Sequence, residues 1–251
     1  MLAPFAVLCV SGIILLMAVS DNLKLFYAEL ERACQSSGRS VQEISVMAVS
    51  KTRSVDEITE ARQAGLHLFG ENRVEEAAEK FAGLDAAEYP LVLIGHLQSN
   101  KASRIDRRFS AVHSVDSIRL ARRLSAHRES INAPLEILLQ VNTSGEESKS
   151  GFRDEQEFLE AAAEIASFPF LKLKGVMTMA PFVDNEHIVR SCFARCRQWA
   201  EKMRPFLAAE EASSQSARPI ISMGMSSDFA WAVAEGSTML RIGTTIFGAR
   251  H

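Results

Sequence analysis

The feature that most constrains the fold of this chain is a regular alternation of short apolar runs with helix-patterned segments. Eight runs are apolar and rich in β-branched residues, which is typical of buried strands. We predict strands at 44–50, 66–70, 91–95, 111–115, 135–141, 171–179, 220–223 and 239–242. Apolar residues spaced by three and four predict the helices. These lie at 21–36, before the first strand, and then at 55–65, 73–82, 117–130, 154–167, 186–209 and 226–236.

Strands separated by helices indicate parallel βαβ units, and eight such strands are the number that closes a barrel. The main alternative is an open doubly wound sheet, which usually carries a glycine-rich phosphate fingerprint after its first strand. Here the first strand is followed by Lys51 and Thr52, with no such fingerprint, and no Pro/Gly/Ser-rich linker divides the chain. We therefore predict one α/β domain over 21–251, a single (β/α)8 TIM barrel preceded by an N-terminal helix.

Residues 1–20 form an apolar extension, of which 2–20 carry no charge. Such a run could be a membrane span or a signal peptide with a poor cleavage site at 18–20. Against both, no Lys or Arg precedes it, as a topology or targeting signal would require. Because Met17 opens a stretch typical of a soluble protein, we favour a start assigned too far upstream, and expect no stable membrane association.

The composition excludes some partners and favours a reducing compartment. The net charge is −3 and there is no basic stripe, so nucleic acid is not an expected partner. The four cysteines form no CxxC pair and have no histidine at metal-ligand spacing, so we predict no metal site. Cys192 and Cys196 lie on an apolar helical stripe as small core residues. We expect a cytoplasmic protein, most simply a monomer.

Function in a TIM barrel lies at the carboxyl ends of the strands, and here those ends are polar, with few acids or histidines. They carry Lys51, Asn72, Gln98, Asn100, Asp116, Asn142, Thr178, 222–226 and 241–244. Lys51 follows a strand that should be buried. Partial desolvation at a barrel rim favours a neutral amine, which imine formation needs. From position alone, however, a lysine extending to solvent at a strand end is the more common case.

The last two strand ends predict a phosphate site. After the seventh strand, Gly224 permits close backbone approach, and Ser226 or Ser227 can cap the helix that follows. The eighth strand ends at Arg241, Gly243 and Thr244, which add a cation, a small residue and a hydroxyl. Loops after strands seven and eight are the usual phosphate site of this fold. In a closed barrel they adjoin strand one, so an aldehyde-bearing phosphate ester could reach Lys51.

Seven segments, which together span about four-fifths of the chain from first to last, resemble the pyridoxal phosphate homeostasis proteins. They are AVSKTRS (48–54), FGENRVEE (69–76), IGHLQSNK (94–101), VHSVDS (112–117), QVNTSGEESKSGF (140–152), GVMTMAP (175–181) and the stretch 222–250. The resemblance implies the fold-type III barrel that binds pyridoxal 5'-phosphate (PLP), shared with the N-terminal domain of alanine racemase. It implies that Lys51 forms the Schiff base with PLP. The other implied cofactor-binding residues are Asn72, Met177, Ser222, Met223, Gly224, Ser226, Arg241, Gly243 and Thr244.

Two details stay open within this resemblance. Arg241 falls where the racemase-like fold directs an arginine to the pyridine nitrogen, and it could instead reach the phosphate. Val92 stands where the family usually has a histidine, two residues before the Ile-Gly of the third strand.

The resemblance implies a protein that holds PLP for vitamin B6 homeostasis and passes it to apo-enzymes. The alternative is a PLP-dependent racemase-like enzyme. Racemases of this fold add a β-domain that supplies a second catalytic base. Here only His251 follows Arg250, and neither Tyr27 nor Tyr89 falls at a strand's carboxyl end. We therefore expect a non-enzymatic role.

Overall fold

The computed structural model describes residues 18–146, 149–207 and 218–249, together with the backbone of 9–10 and 13–14. Within these residues, eight parallel strands close into one barrel, which confirms the predicted fold. The strands, numbered along the chain, are β1 Ser45–Val49, β2 Phe69–Glu71, β3 Leu91–Leu93, β4 Phe109–Val115, β5 Leu135–Gln140, β6 Leu171–Met177, β7 Ile220–Ser222 and β8 Met239–Ile242. The barrel closes where β8 pairs with β1, from Met239 opposite Ser45 to Ile242 opposite Ala48.

Helices surround the barrel. They are α1 Val19–Ser36, α2 Val55–Gln63, α3 Val74–Lys80, α4 Ile118–Ser130, α5 Glu155–Ile165, α6 Glu186–Met203, α7 Phe229–Ala234 and α8 Thr244–Phe247. Short 3-10 turns lie at Val41–Glu43, Ser99–Arg104 and Arg204–Phe206. The first helix, α1, packs on the end of the chain: the rings of Phe26 and Phe229 lie 5.3 Å apart, and Asn22 donates a hydrogen bond to the Ile246 carbonyl at 3.0 Å.

Several elements differ from their predicted extent. The helix predicted at 186–209 ends as α-helix at Met203, because Pro205 has no N–H to continue it. The second strand begins at Phe69 and not at Leu66, which lies in the connection after α2, where its N–H bonds to the Ala61 carbonyl. Between β3 and β4 the chain forms only a 3-10 turn, and the four-residue helix α8 was not predicted.

The barrel has two apolar cores. The larger lies between the sheet and the helices and includes Cys192 and Cys196, both buried as predicted. The smaller lies inside the barrel, where Met47, Val92, Ala111 and Met239 meet. Because the inner core is apolar, the few polar side chains buried beside it need partners.

The predicted apolar extension lies mostly outside the described residues. Within them, Cys9–Val10 pairs antiparallel with Ile13–Ile14. No helix in the described part of the chain has the length and apolar character needed to cross a membrane.

Candidate functional site

A cavity of about 640 Å³ opens at the carboxyl ends of the barrel strands. Six of the ten predicted cofactor-binding residues line it: Lys51, Asn72, Ser226, Arg241, Gly243 and Thr244. They come from opposite ends of the chain, and the β8–β1 pairing brings them together. The closed barrel therefore places the predicted imine lysine beside the predicted phosphate loops.

Lys51 lies on a tight turn directly after β1. The turn is closed by the Arg53 N–H, which donates to the Ser50 carbonyl at 3.0 Å. Thr52, its third residue, has a φ of 62°, which β-branched residues rarely adopt. Arg53 anchors the far side by donating to the Phe247 carbonyl at 3.0 Å and by lying 5.6 Å from the centre of the Phe247 ring. The turn is thus attached to α8, next to Gly243 and Thr244.

Arg241 is a buried cation whose hydrogen bonds within the described residues are with neutral oxygens. Its guanidinium donates to the Ser222 carbonyl at 2.7 Å, to the Ser222 hydroxyl at 2.9 Å and to the Thr178 carbonyl at 2.8 Å. Burial lowers the pKa of Arg241 to about 10, which still leaves it charged at neutral pH, and Asp228 opposes the shift. A cation that lines the cavity and has no hydrogen-bonded carboxylate in the described part of the chain favours an anionic or electron-rich ligand there.

The two phosphate-type loops contact each other. The Ser226 hydroxyl accepts a hydrogen bond from the Thr245 N–H at 3.3 Å, so the loop after β7 touches the start of α8. The expectation that Ser226 or Ser227 caps α7 is wrong. Asp228 occupies the cap position, and its carboxylate instead accepts the Met225 N–H at 2.6 Å. Ser226 therefore does not cap α7, and it lines the cavity beside the start of α8.

The other four predicted residues do not line the cavity. Ser222, Met223 and Met177 are fully buried, and Ser222 holds Arg241 from inside the barrel. Gly224 has a φ of 97°, and a Cβ placed there would lie 2.6 Å from the Cβ of Ala232 on α7. The small size of Gly224 therefore allows α7 to pack closely.

Several residues that line the cavity were not predicted from the strand ends. They are His96, Gln140, Lys149, Ser150, Met179 and Phe182. His96 Nδ1 lies 3.2 Å from an Asp116 carboxylate oxygen, and Lys149 donates to the Ala180 carbonyl at 3.0 Å. His96, Lys149 and Ser150 fall within the matched segments at 94–101 and 140–152, which were the signal that could have found them. Gln98, named from its strand end, lies outside the cavity lining.

His113 on β4 lies inside the barrel, almost fully buried, and its Nδ1 has no hydrogen-bond partner among the described residues. Burial, assisted by the positive charge of Arg241, lowers the pKa of His113 to about 3. The imidazole is therefore neutral in the folded protein at neutral pH.

We expect this histidine to make stability depend on pH. Between about pH 6.5 and 3, the unfolded chain binds a proton that the folded chain does not, so stability falls as the pH is lowered, by about 1.4 kcal/mol per pH unit. Urea unfolding of wild type and His113→Phe across pH 4–7 measures this slope, with exposed His67→Gln as the control. An unchanged slope in His113→Phe would contradict the assignment.

Comparison with known proteins identifies the family. The family model of the alanine racemase N-terminal domain matches residues 26–251. The chain belongs to this family. A pyridoxal phosphate homeostasis protein from Haemophilus influenzae is 37% identical, covering 94% of this chain and 97% of its own length. This full-length similarity confirms the resemblance found in the motifs.

Solved structures agree with the fold. PipY from Synechococcus elongatus, solved with PLP bound, is 31% identical with a TM-score of 0.76, over 92% of this chain and 100% of that one. An alanine racemase from Clostridium difficile covers the same 92% of this chain, with a TM-score of 0.70. It is 15% identical, and this chain spans 57% of it, so the likeness shows a shared barrel fold only.

Proposed function

We propose that this protein binds PLP in the cavity at the carboxyl end of the barrel and serves vitamin B6 homeostasis. The observation that carries the proposal is the meeting of Lys51, Arg241 and the Ser226 and Thr244 loops in one cavity. The full-length similarity to PipY, whose structure contains PLP, supports the choice of ligand. So does the similarity to the Haemophilus influenzae homeostasis protein.

The residues of the cavity fit the chemical groups of PLP. When bound, PLP supplies an aldehyde that condenses with an amine, and it carries a phosphate monoester and a pyridine ring. Lys51 offers the amine for a Schiff base on one wall. Ser226, Gly243 and Thr244 offer hydroxyls and close backbone approach for the phosphate, and Arg241 offers a cation. Asn72 completes the wall beside Lys51.

We propose that the remaining predicted residues support the cofactor site without contacting PLP. Ser222 fixes the Arg241 guanidinium through two contacts, while Met177, Met223 and Gly224 form the floor and support of the loops. The proposed functional unit is residues 21–251, as a cytoplasmic monomer. In this proposal the protein holds PLP and passes it to apo-enzymes without catalysing turnover.

Reductive trapping tests the ligand and the attachment site. Wild-type protein is titrated with PLP, its visible absorbance is recorded, and it is then treated with borohydride. We expect saturable binding, a new visible band and one reduced pyridoxyl group on the peptide that contains Lys51. A protein that stays colourless at saturating PLP would overturn the proposal.

The competing function is a racemase-like PLP enzyme. Purified PLP-loaded protein is incubated with D- and L-amino acids, and racemisation is followed by chiral chromatography. Enzyme-like turnover would overturn the non-enzymatic part of the proposal while leaving PLP binding intact.

A further inference from the structure

The turn that carries Lys51 is held from the neighbouring βα unit. Ser50 and Thr52, on either side of Lys51, both bond to side chains from α3. Glu76 accepts the Thr52 N–H at 2.7 Å, and Lys80 donates to the Ser50 carbonyl at 2.8 Å. Neither α3 residue lines the cavity. Both therefore act on the backbone of the turn and not on the space beside Lys51.

Glu76 and Lys80 also bond to each other. They lie four residues apart on α3, and the Lys80 ammonium lies 3.0 Å from the Glu76 carboxylate. Burial raises the pKa of the Glu76 carboxyl, but the Thr52 N–H and the Lys80 ammonium outweigh burial and hold that pKa below its ordinary value. The carboxylate is thus ionised at neutral pH and accepts the Thr52 N–H as a charged group, which makes a stronger hydrogen bond.

A buried carboxylate fixes Lys80 in turn. Glu71, at the end of β2, is fully buried and accepts hydrogen bonds from Lys80 at 2.8 Å and from the Ser50 hydroxyl at 2.7 Å. Among the residues that the structure describes, Lys80 therefore has three oxygen partners, one each from Ser50, Glu71 and Glu76. A lysine with three fixed acceptors has lost most of its rotamer freedom and acts as a rigid brace.

The turn needs such a brace because of Thr52. A left-handed φ costs a non-glycine residue about 1–2 kcal/mol, so the unbraced turn would relax to other conformations. Any such change would redirect the side chain of Lys51, the preceding residue.

We propose that Glu76 and Lys80 are positioning residues of the cofactor site, which hold the strained turn at Thr52 and so direct Lys51 into the cavity. This inference rests on the proposed PLP-binding function. Removal of the brace leaves the amine present but lets it sample directions from which it does not reach the cofactor.

Glu76→Ala is the primary test, because Lys80 substitutions would leave the buried Glu71 carboxylate without its cation. We expect PLP affinity to fall about tenfold, the size expected for loss of one charged hydrogen bond. Glu75→Ala is the matched control. It is the adjacent acid of α3 and loses its own contacts to Lys101 at 3.0 Å and Arg104 at 2.9 Å, but it does not touch the turn. Its PLP affinity should equal that of wild type.

A second substitution separates positioning from general stability. Glycine adopts a left-handed φ without strain, so Thr52→Gly should make the brace less necessary. In the Glu76→Ala background we expect Thr52→Gly to restore most of the lost PLP affinity. If Glu76→Ala is insoluble, Glu76→Leu keeps the side-chain bulk and helix propensity but removes the acceptor, and the same rescue applies to it.

The outcomes distinguish this inference from the proposed function. Wild-type protein that takes up no PLP overturns both. A second outcome overturns the positioning role alone. In that outcome wild-type protein binds PLP, and the Glu76→Ala variant melts at a lower temperature but binds PLP with equal affinity when folded. Reduced affinity in Glu76→Ala that Thr52→Gly does not restore also overturns it.

Discussion

Replacing Lys51 with alanine is expected to abolish covalent attachment of PLP. Lys51 is the amine that the β1 turn brings to the cavity, and the methyl side chain of alanine has no amine to form an imine with the aldehyde. The visible band should disappear, and borohydride should fix no pyridoxyl group to the protein. The loops at Ser226 and Thr244, which we propose bind the phosphate, remain, so weak non-covalent binding should persist. Loss of the covalent bond should reduce affinity by about a hundredfold or more.

Two further variants control for charge and for nonspecific lysine chemistry. Lys51→Arg keeps the positive charge but forms no imine, and it should also lack the visible band. Lys24→Ala removes an exposed lysine of α1 and should match wild type. Absorbance titration and mass spectrometry after borohydride treatment measure both properties. A pyridoxyl group retained stoichiometrically in Lys51→Ala would mean that another lysine carries the cofactor.

The barrel could be predicted from the sequence because its evidence is local and repeated. Each strand is a short apolar run, most are followed by a helical pattern, and eight of them leave few alternative architectures. Closure then makes residues from the two ends of the chain neighbours. The proximity of Lys51 to Arg241, Gly243 and Thr244 follows from topology, without knowledge of any side-chain conformation.

The direction of each side chain could not be predicted in the same way. Neighbouring residues of a strand point to opposite faces, so an uncertainty of one residue at the end of β7 decides between cavity, barrel interior and helix interface. Ser222, at the end of this strand, is therefore buried and accepts hydrogen bonds from Arg241 instead of lining the cavity. The contacts of Glu76 and Lys80 with the β1 turn join α3 to a different part of the chain, and no spacing pattern reveals them.

Substitution of Gly224 tests whether this residue is needed for packing or for binding of the ligand. Its φ of 97° disfavours any side chain, and an added Cβ would meet the Cβ of Ala232 at 2.6 Å and Leu240 Cδ2 at 2.8 Å. We expect Gly224→Ala to lose about 1–2 kcal/mol from backbone strain and a further 1–3 kcal/mol, roughly, from overpacking. The total is a large part of the stability of an ordinary domain.

The Gly65→Ala variant measures the cost of backbone strain without a contribution from overpacking. Gly65 has a φ of 102°, close to that of Gly224, but no heavy atom of the described residues lies within 4 Å of an added Cβ. Chemical denaturation of both variants should therefore show a smaller loss in Gly65→Ala, and the difference between them measures the overpacking at position 224 against Ala232 on α7 and Leu240 on β8. If Gly224 mattered only for the approach of a phosphate, the two variants would lose equal stability and only Gly224→Ala would bind PLP more weakly. A larger stability loss in Gly224→Ala would instead show that this glycine supports the proposed phosphate loop by allowing α7 to pack closely against it.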